Sequence, residues 1–387
     1  MRATSPNAPS LAARLLMGLC ALLLLELGAR GLERLLPTVE TMRDVTEVRV
    51  FEPVPGDPAW VRTAPDLRLR LDRATWVYPD QRFARAKPPG TVRVALLGGS
   101  NVFRLHAFQD RLQAAVAAAL GDGRAVEVLN GGGNAQGSRG VLHVGRELLA
   151  FEPDVLVLYT GHNEQAEATV LRMLTPGPLV HVAVARLLTR AWTAALSGRR
   201  QAATAKALAD VEAAAPRPGT VAPSRRALPP LPPADLPTTL PEQVQRYRDN
   251  LTTIVDEAQA AGVRVVIATV ATNLRRPLLL DPDSPFPERI EAAYRAGRLD
   301  EGMALAEEAL ASTTQRLQSG PLEDAVLRGL AASRGATLAD VAEAVRAAEP
   351  HGVPGETLFT DRCHLTPEGY ALWVDVVAPA VASALVP

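Results

Sequence analysis

Five short runs of apolar residues recur along this chain of 387 residues, and they constrain its fold more than any other feature. They are Val92–Leu97, Ala125–Leu129, Val155–Tyr159, Val263–Val270 and a weaker Ala336–Val341. Most are continuous rather than alternating, as in strands buried on both faces of a sheet. Helical material lies between them. Phe108–Leu120 carries helical spacing and stops at Gly121, a C′ glycine, while Ser138–Ala150 reads as a helix with Ser138 as N-cap. Strand–helix–strand alternation with short connections predicts an α/β fold. The expected form is a three-layer, doubly wound (flavodoxin-like) sheet of about five parallel strands with right-handed crossovers.

The ends of the runs are polar or glycine-rich, and in such sheets ligands bind at the carboxyl ends of the strands. The first run ends in Gly98-Gly99-Ser100-Asn101-Val102. Glycines allow a sharp turn there, and Ser100 is a nucleophile, a phosphate-loop residue or a helix N-cap. The second ends in Asn130-Gly131-Gly132-Gly133-Asn134-Ala135-Gln136-Gly137, whose exposed backbone N–H groups suit an anion. After the third comes Gly161-His162-Asn163-Glu164, where the Asn163 amide is either an oxyanion donor or a turn residue. Near the C-terminus stands Asp361-Arg362-Cys363-His364. One turn brings that carboxylate to the imidazole Nδ1–H and presents Nε2 as a base. The alternative is a turn-capping aspartate beside a packed histidine. Thr366 and Pro367 read as the N-cap and first residue of a final helix.

The rest of the chain sets the frame. A formal net charge of −1 supplies no global field toward nucleic acid. Arg2 and Arg14 precede Leu15–Leu27, which is apolar except for Glu26. That pattern predicts an uncleaved signal anchor over 1–36, in contact with the membrane through 15–36, and a periplasmic or extracellular catalytic domain. Prolines punctuate 37–91, a predicted linker or cap. The domain over 92–387 carries two insertions, at 174–240 (helical, then Pro/Ala-rich) and at 287–317. The latter contains AAYRAGRLDEGMALAEEAL, which resembles one hairpin of a tetratricopeptide repeat. Cys20 and Cys363 do not suggest a disulfide framework. The six histidines lack ligand spacing, so neither metal nor cofactor is expected. The α/β-hydrolase elbow G-x-S-x-G fails at Val102 around Ser100 and at Gln136 around Ser138, and no G-x-G-x-x-G follows the first run.

In this order, the four blocks resemble those of the SGNH (GDSL-like) hydrolase family, over roughly 92–385 apart from the insertions. GGSNV stands at the nucleophile block, GHNE at Gly-x-Asn-Asp/Glu and DRCH at Asp-x-x-His. The stretch ATNLRRP around Asn273 and the repeat-like insert also look like a bacterial, membrane-anchored branch of the family. The resemblance implies Ser100 as nucleophile, His364 as base and Asp361 as its orienter. The oxyanion hole would comprise the Ser100 N–H, the Asn163 amide and an N–H of the glycine loop. Gly133 is the first choice for the last, with Gly132 or Ala135 as substitutes. Gly99 replaces the acidic residue that usually precedes the serine, and Ala135 stands where Asn-x-Gly-x-x-Gly has a glycine. The implied activity is hydrolysis of short-chain or acetyl esters through an acyl-enzyme, with acylated carbohydrate as a candidate substrate. The alternatives are a polysaccharide O-acyltransferase on the same fold and a non-catalytic, membrane-tethered binding protein.

Overall fold

The computed structural model describes residues 10–35, 49–64, 78–168, 183–184, 187–188 and 239–386. The chain divides into two units, one of 1–43 with 173–217, the other of 44–172 with 218–387. Most of the first insertion, 174–238, lies outside the described residues.

In the smaller unit, α1 (Leu11–Leu35) presents Leu16, Met17, Leu19 and Leu22–Leu25 to the surface. Its Glu26 accepts hydrogen bonds from the Ala183 and Val184 N–H groups and from Arg30. The expected membrane-spanning anchor is corrected here: among the described residues no helix is long and apolar enough to cross a membrane. The physical reason lies in the sequence. Leu15–Leu25 is uninterrupted, but Glu26 and Arg30 then break it, well short of the about 20 apolar residues a span requires.

The larger unit is built on a five-stranded sheet in which every adjacent pair is parallel. Its strands are β4 (Thr91–Gly98), β5 (Ala125–Gly132), β6 (Val155–Tyr159), β7 (Arg264–Ala268) and β8 (Thr337–Ala339), in the spatial order β5-β4-β6-β7-β8. Counted from β4, this is the doubly wound order 2-1-3-4-5, and the strand direction of travel switches between β4 and β6. All five residues of β6 are buried, as a continuous apolar run requires.

Helices cover both faces. On one, α3 (Gln109–Leu120) packs with α10 (Pro367–Leu385), which also meets α9 (Val341–Ala348). On the other lie α4 (Ser138–Leu149), α5 (Leu240–Ala260) and α8 (Pro321–Arg334). Fully buried Trp373 of α10 meets Tyr159 of β6 edge-on at 5.7 Å. The predicted caps of α3 and α10 are present. Gly121 is left-handed (φ 65°), and Thr366 Oγ1 accepts the Gly369 N–H with Pro367 at the first helical position.

Two regions depart from expectation. The region expected to be a linker or cap, 37–91, contains an antiparallel sheet, β1 (Phe51–Val54), β2 (Asp57–Thr63) and β3 (Arg82–Ala84), packed into the main core. Phe51, Phe83 and Phe151 form an edge-to-face cluster there. Beside it, the buried Glu147 carboxylate accepts the Val50 and Phe51 N–H groups. Gln81 pairs its amide with both backbone groups of Asn130, occupying the outer edge of β5.

The second departure is smaller. α4 begins at Ser138 with Gly137 as its N-cap, not with Ser138. Two carboxylates displace the serine from that role. Glu167 accepts the Gly137, Arg139 and Gly140 N–H groups, and Glu164 accepts Ser138 N–H and Oγ–H.

The second insertion forms a hairpin of α6 (Phe286–Arg295) and α7 (Leu299–Ser312). It encloses a separate apolar cluster that borrows Leu274 and Val353 from the main unit.

Candidate active site

The C-terminal ends of β4, β5 and β6 bring the sequence-predicted residues together. Just past β4, Ser100 opens the short helix α2 (Ser100–Arg104). The hairpin bridged at Phe359 and Leu365 carries Asp361 and His364. His364 Nε2 lies 2.7 Å from Ser100 Oγ, and His364 Nδ1 lies 2.6 Å from Asp361 Oδ2. A continuous chain of hydroxyl, imidazole and carboxylate results.

The hairpin is tied at three levels. Asp361 Oδ1 accepts the Cys363 and His364 N–H groups at 2.9 and 2.8 Å, and the Thr360 N–H donates to His364 O at 2.9 Å. Asn273, from the ATNLRRP stretch, donates from Nδ2 to Asp361 O and from its backbone to Arg362 O. Asn101, next to the serine, donates to Cys363 O at 2.7 Å and accepts from Tyr370 Oη at 2.7 Å. Asn101, Tyr370 and the contacts of Asn273 fix the hairpin against the serine. Sequence reasoning missed the first two, and the only local hint is a polar residue at a buried position of α2.

Electrostatics fits the geometry. Burial alone raises the Asp361 carboxyl, but the two N–H bonds and the imidazole overcome it and hold the group well below the usual carboxylate range. His364 is shifted down from its ordinary value, chiefly by burial and then by the Arg104 and Arg362 cations, with Asp361 opposing. A neutral imidazole can take the serine proton, so the acid limb of kcat/KM is expected below pH ~6.5, the value of a free histidine. Arg104→Gln removes one cation and should move that limb upward in a pH–rate profile. A limb at or above pH ~6.5 in the parent protein would contradict the assignment.

The neighbours of Ser100, His364 and Asp361 are chemically quiet. Burial pushes the Cys363 thiol up to about 12, so it is no rival nucleophile although Sγ lies 3.7 Å from His364 Nδ1. His162 accepts the Ser319 N–H at Nδ1, which leaves its proton on Nε2, and burial pushes its pKa down to about 3. It stays neutral and buried.

Asn163 is held beside the serine. Its Nδ2 donates to Gln136 O at 3.1 Å, and a Cβ on Gly99 would meet Nδ2 at 2.1 Å. A side chain at position 99 and an amide in this place exclude each other, which accounts for glycine before Ser100. Glu164 anchors the Asn163 loop through Ser138, whose Oγ also accepts from Asn250. Burial raises both Glu164 and Glu167, and mutual repulsion adds to the shift of Glu164.

The glycine loop corrects one assignment. The Gly133 N–H donates to Gly98 O and the Gly132 N–H to Asn130 Oδ1, so neither is open to an oxyanion. Ala135 carries no such bond among the described residues and sits at the third position of a 133–136 turn with φ 58°. That conformation favours glycine. Ala135→Gly should therefore stabilise the protein by about 0.5–1 kcal/mol, read as a higher denaturant midpoint at unchanged slope. A lower midpoint would show that the loop does not bear this strain.

Two cavities flank the hairpin. One, of about 690 Å³, is lined by Asn273, Arg275, Arg276, Phe359, Asp361 and Arg362. The other, of about 420 Å³ and largely apolar, lies against Phe103, Phe108, Leu365 and Tyr370, with Arg104 at its wall.

No family model and no curated relative matches the chain. Solved structures similar to it include a GDSL-like lipase from Bacteroides thetaiotaomicron VPI-5482, at 13% identity over 76% of this chain and 89% of that one, with a TM-score of 0.36. An acetyl xylan esterase is similar at 13% identity over 76% of this chain and 100% of the other, with a TM-score of 0.39. A mutant acetyl-xylooligosaccharide esterase from Geobacillus Stearmophilus is similar at 12% identity, 75% and 94% coverage, and a TM-score of 0.36.

Proposed function

We propose that the protein is a serine ester hydrolase of the SGNH type, acting on short-chain carboxylic esters through an acyl-enzyme. The observation that carries this is the chain from Ser100 Oγ through His364 to Asp361, with contacts of 2.7 and 2.6 Å. In the proposed reaction His364 Nε2 takes the serine proton as Oγ attacks the ester carbonyl. The Ser100 N–H, the Ala135 N–H and the Asn163 amide hold the oxyanion. Collapse expels the alcohol, which receives its proton from His364, and Asp361 stabilises the imidazolium in between. Water, deprotonated by His364, then attacks the acyl-serine, and the carboxylic acid leaves as the serine regains its proton. If a sugar hydroxyl takes the place of water, the same steps give an O-acyltransferase. The roomy cavity beside the hairpin favours keeping that second reading.

We further propose a non-cytoplasmic location with α1 resting against a membrane, supported by its exposed leucines and the arginine ahead of them. One experiment addresses both proposals. A fluorophosphonate probe should label the wild-type protein in the membrane fraction of intact cells, and Ser100→Ala should abolish labelling together with p-nitrophenyl acetate hydrolysis. Folded protein that is neither labelled nor active would exclude the hydrolase. Labelling confined to the soluble cytoplasm would exclude the location.

A further inference from the structure

Two of the three arginines that wall the larger cavity, Arg276 and Arg362, have no anion to face among the described residues. Arg276 and Arg362 are exposed, and neither side chain makes an ion pair or hydrogen bond among the described residues. Arg275 is held more firmly. Its guanidinium lies 4.3 Å over the Tyr294 ring, its Nε is 3.7 Å from Glu356, and its Nη1 is buried with no partner. Elsewhere on this unit, arginines find carboxylates readily, as Arg62 does with Glu52, Arg146 with Glu257 and Arg334 with Asp256. Acidic residues are not scarce either, at 42 against 41 basic ones. The two carboxylates on the cavity wall are already engaged, Asp361 by its N–H donors and the imidazole, Glu356 by Arg275.

Unpaired guanidinium groups in a concave site with some apolar lining are suited to an oxyanion on a larger body. The cavity adjoins the hairpin that carries His364, the group that hands a proton to the leaving alcohol. We infer that the cavity binds the alcohol part of the ester, and that this part is a sugar bearing an oxyanion, a uronate carboxylate foremost. The inference rests on the esterase reading and names its substrate class. Arg275, pre-positioned over Tyr294, supplies the fixed fork. Arg276 and Arg362 close on the anion from the rim, and Phe359 and Leu278 offer apolar surface to the sugar ring.

The test compares an O-acetylated glucuronate, its uncharged methyl ester and an O-acetylated glucose 6-phosphate. The readout is the ratio of kcat/KM for each charged substrate to that for the methyl ester. In the wild type at least one ratio should exceed about tenfold, and Arg276→Gln with Arg362→Gln should bring it toward unity, as should added salt. The larger ratio tells carboxylate from phosphate. Ratios near one in the wild type, or unmoved in the double variant, would overturn the inference. Failure of the esterase reading is distinct: none of the three substrates would turn over and Ser100 would not be labelled. Even then, calorimetric titration with free glucuronate and glucose 6-phosphate reads the cavity without chemistry. Binding that the double variant loses supports an anion site, and no binding of either ligand overturns it.

Discussion

Ser100→Ala is expected to lower kcat for ester hydrolysis by on the order of 10⁶, to a residual rate set by binding and the oxyanion donors alone. The size of the effect follows from the chain of contacts. Oγ lies 2.7 Å from His364 Nε2, and removing it leaves the imidazole without that proton to take. His364→Ala should cost about as much, because nucleophile and base act as a unit and their losses do not add. Single-turnover kinetics on p-nitrophenyl acetate would measure both. Loss of less than about tenfold in Ser100→Ala would mean that another group performs the chemistry.

The second large effect is expected at Asn163. Asn163→Ala should reduce kcat by about 10²–10³, or roughly 2.7–4 kcal/mol, with little change in KM. The amide acts only on charge that develops in the transition state, so its removal spares substrate binding. Because Asn163 Nδ2 also donates to Gln136 O, a thermal melt must accompany the kinetics. A variant that keeps its melting temperature and loses only KM would place Asn163 in substrate binding instead.

How far such a site can be read from sequence depends on how local its causes are. Val155–Tyr159 was visible because every side chain in it is buried, so nothing polar interrupts the run. Asp361 and His364 were visible because the contact between them spans three residues. By contrast, β1–β3 were hidden behind Pro53 and Pro58, which read as breakers. Pro53 lies on the edge strand, and Pro58 precedes the pairing of β2 with β3, which begins at Trp60, so neither disturbs the ladder between those strands. Ser138 looked like an N-cap because nothing nearby in sequence announces that Glu164 and Glu167 arrive from beyond β6 to take those N–H groups. The glycine loop misled for a similar reason. Which of its N–H groups stays open is decided by Gly98 and Asn130, not by the glycine count.

The contacts that join Asn101 to Cys363 and Tyr370, and Ser100 to His364, reach across 262 to 269 residues of sequence. Such distant pairings are the slowest to form and the last to be rewarded during folding. Until the final helix has docked, Ser100 is an ordinary hydroxyl with no base to activate it. On the proposed mechanism, a truncation anywhere before Tyr370 should therefore leave the chain inert toward esters. Activity should appear only once Ser100 and the C-terminal hairpin have met.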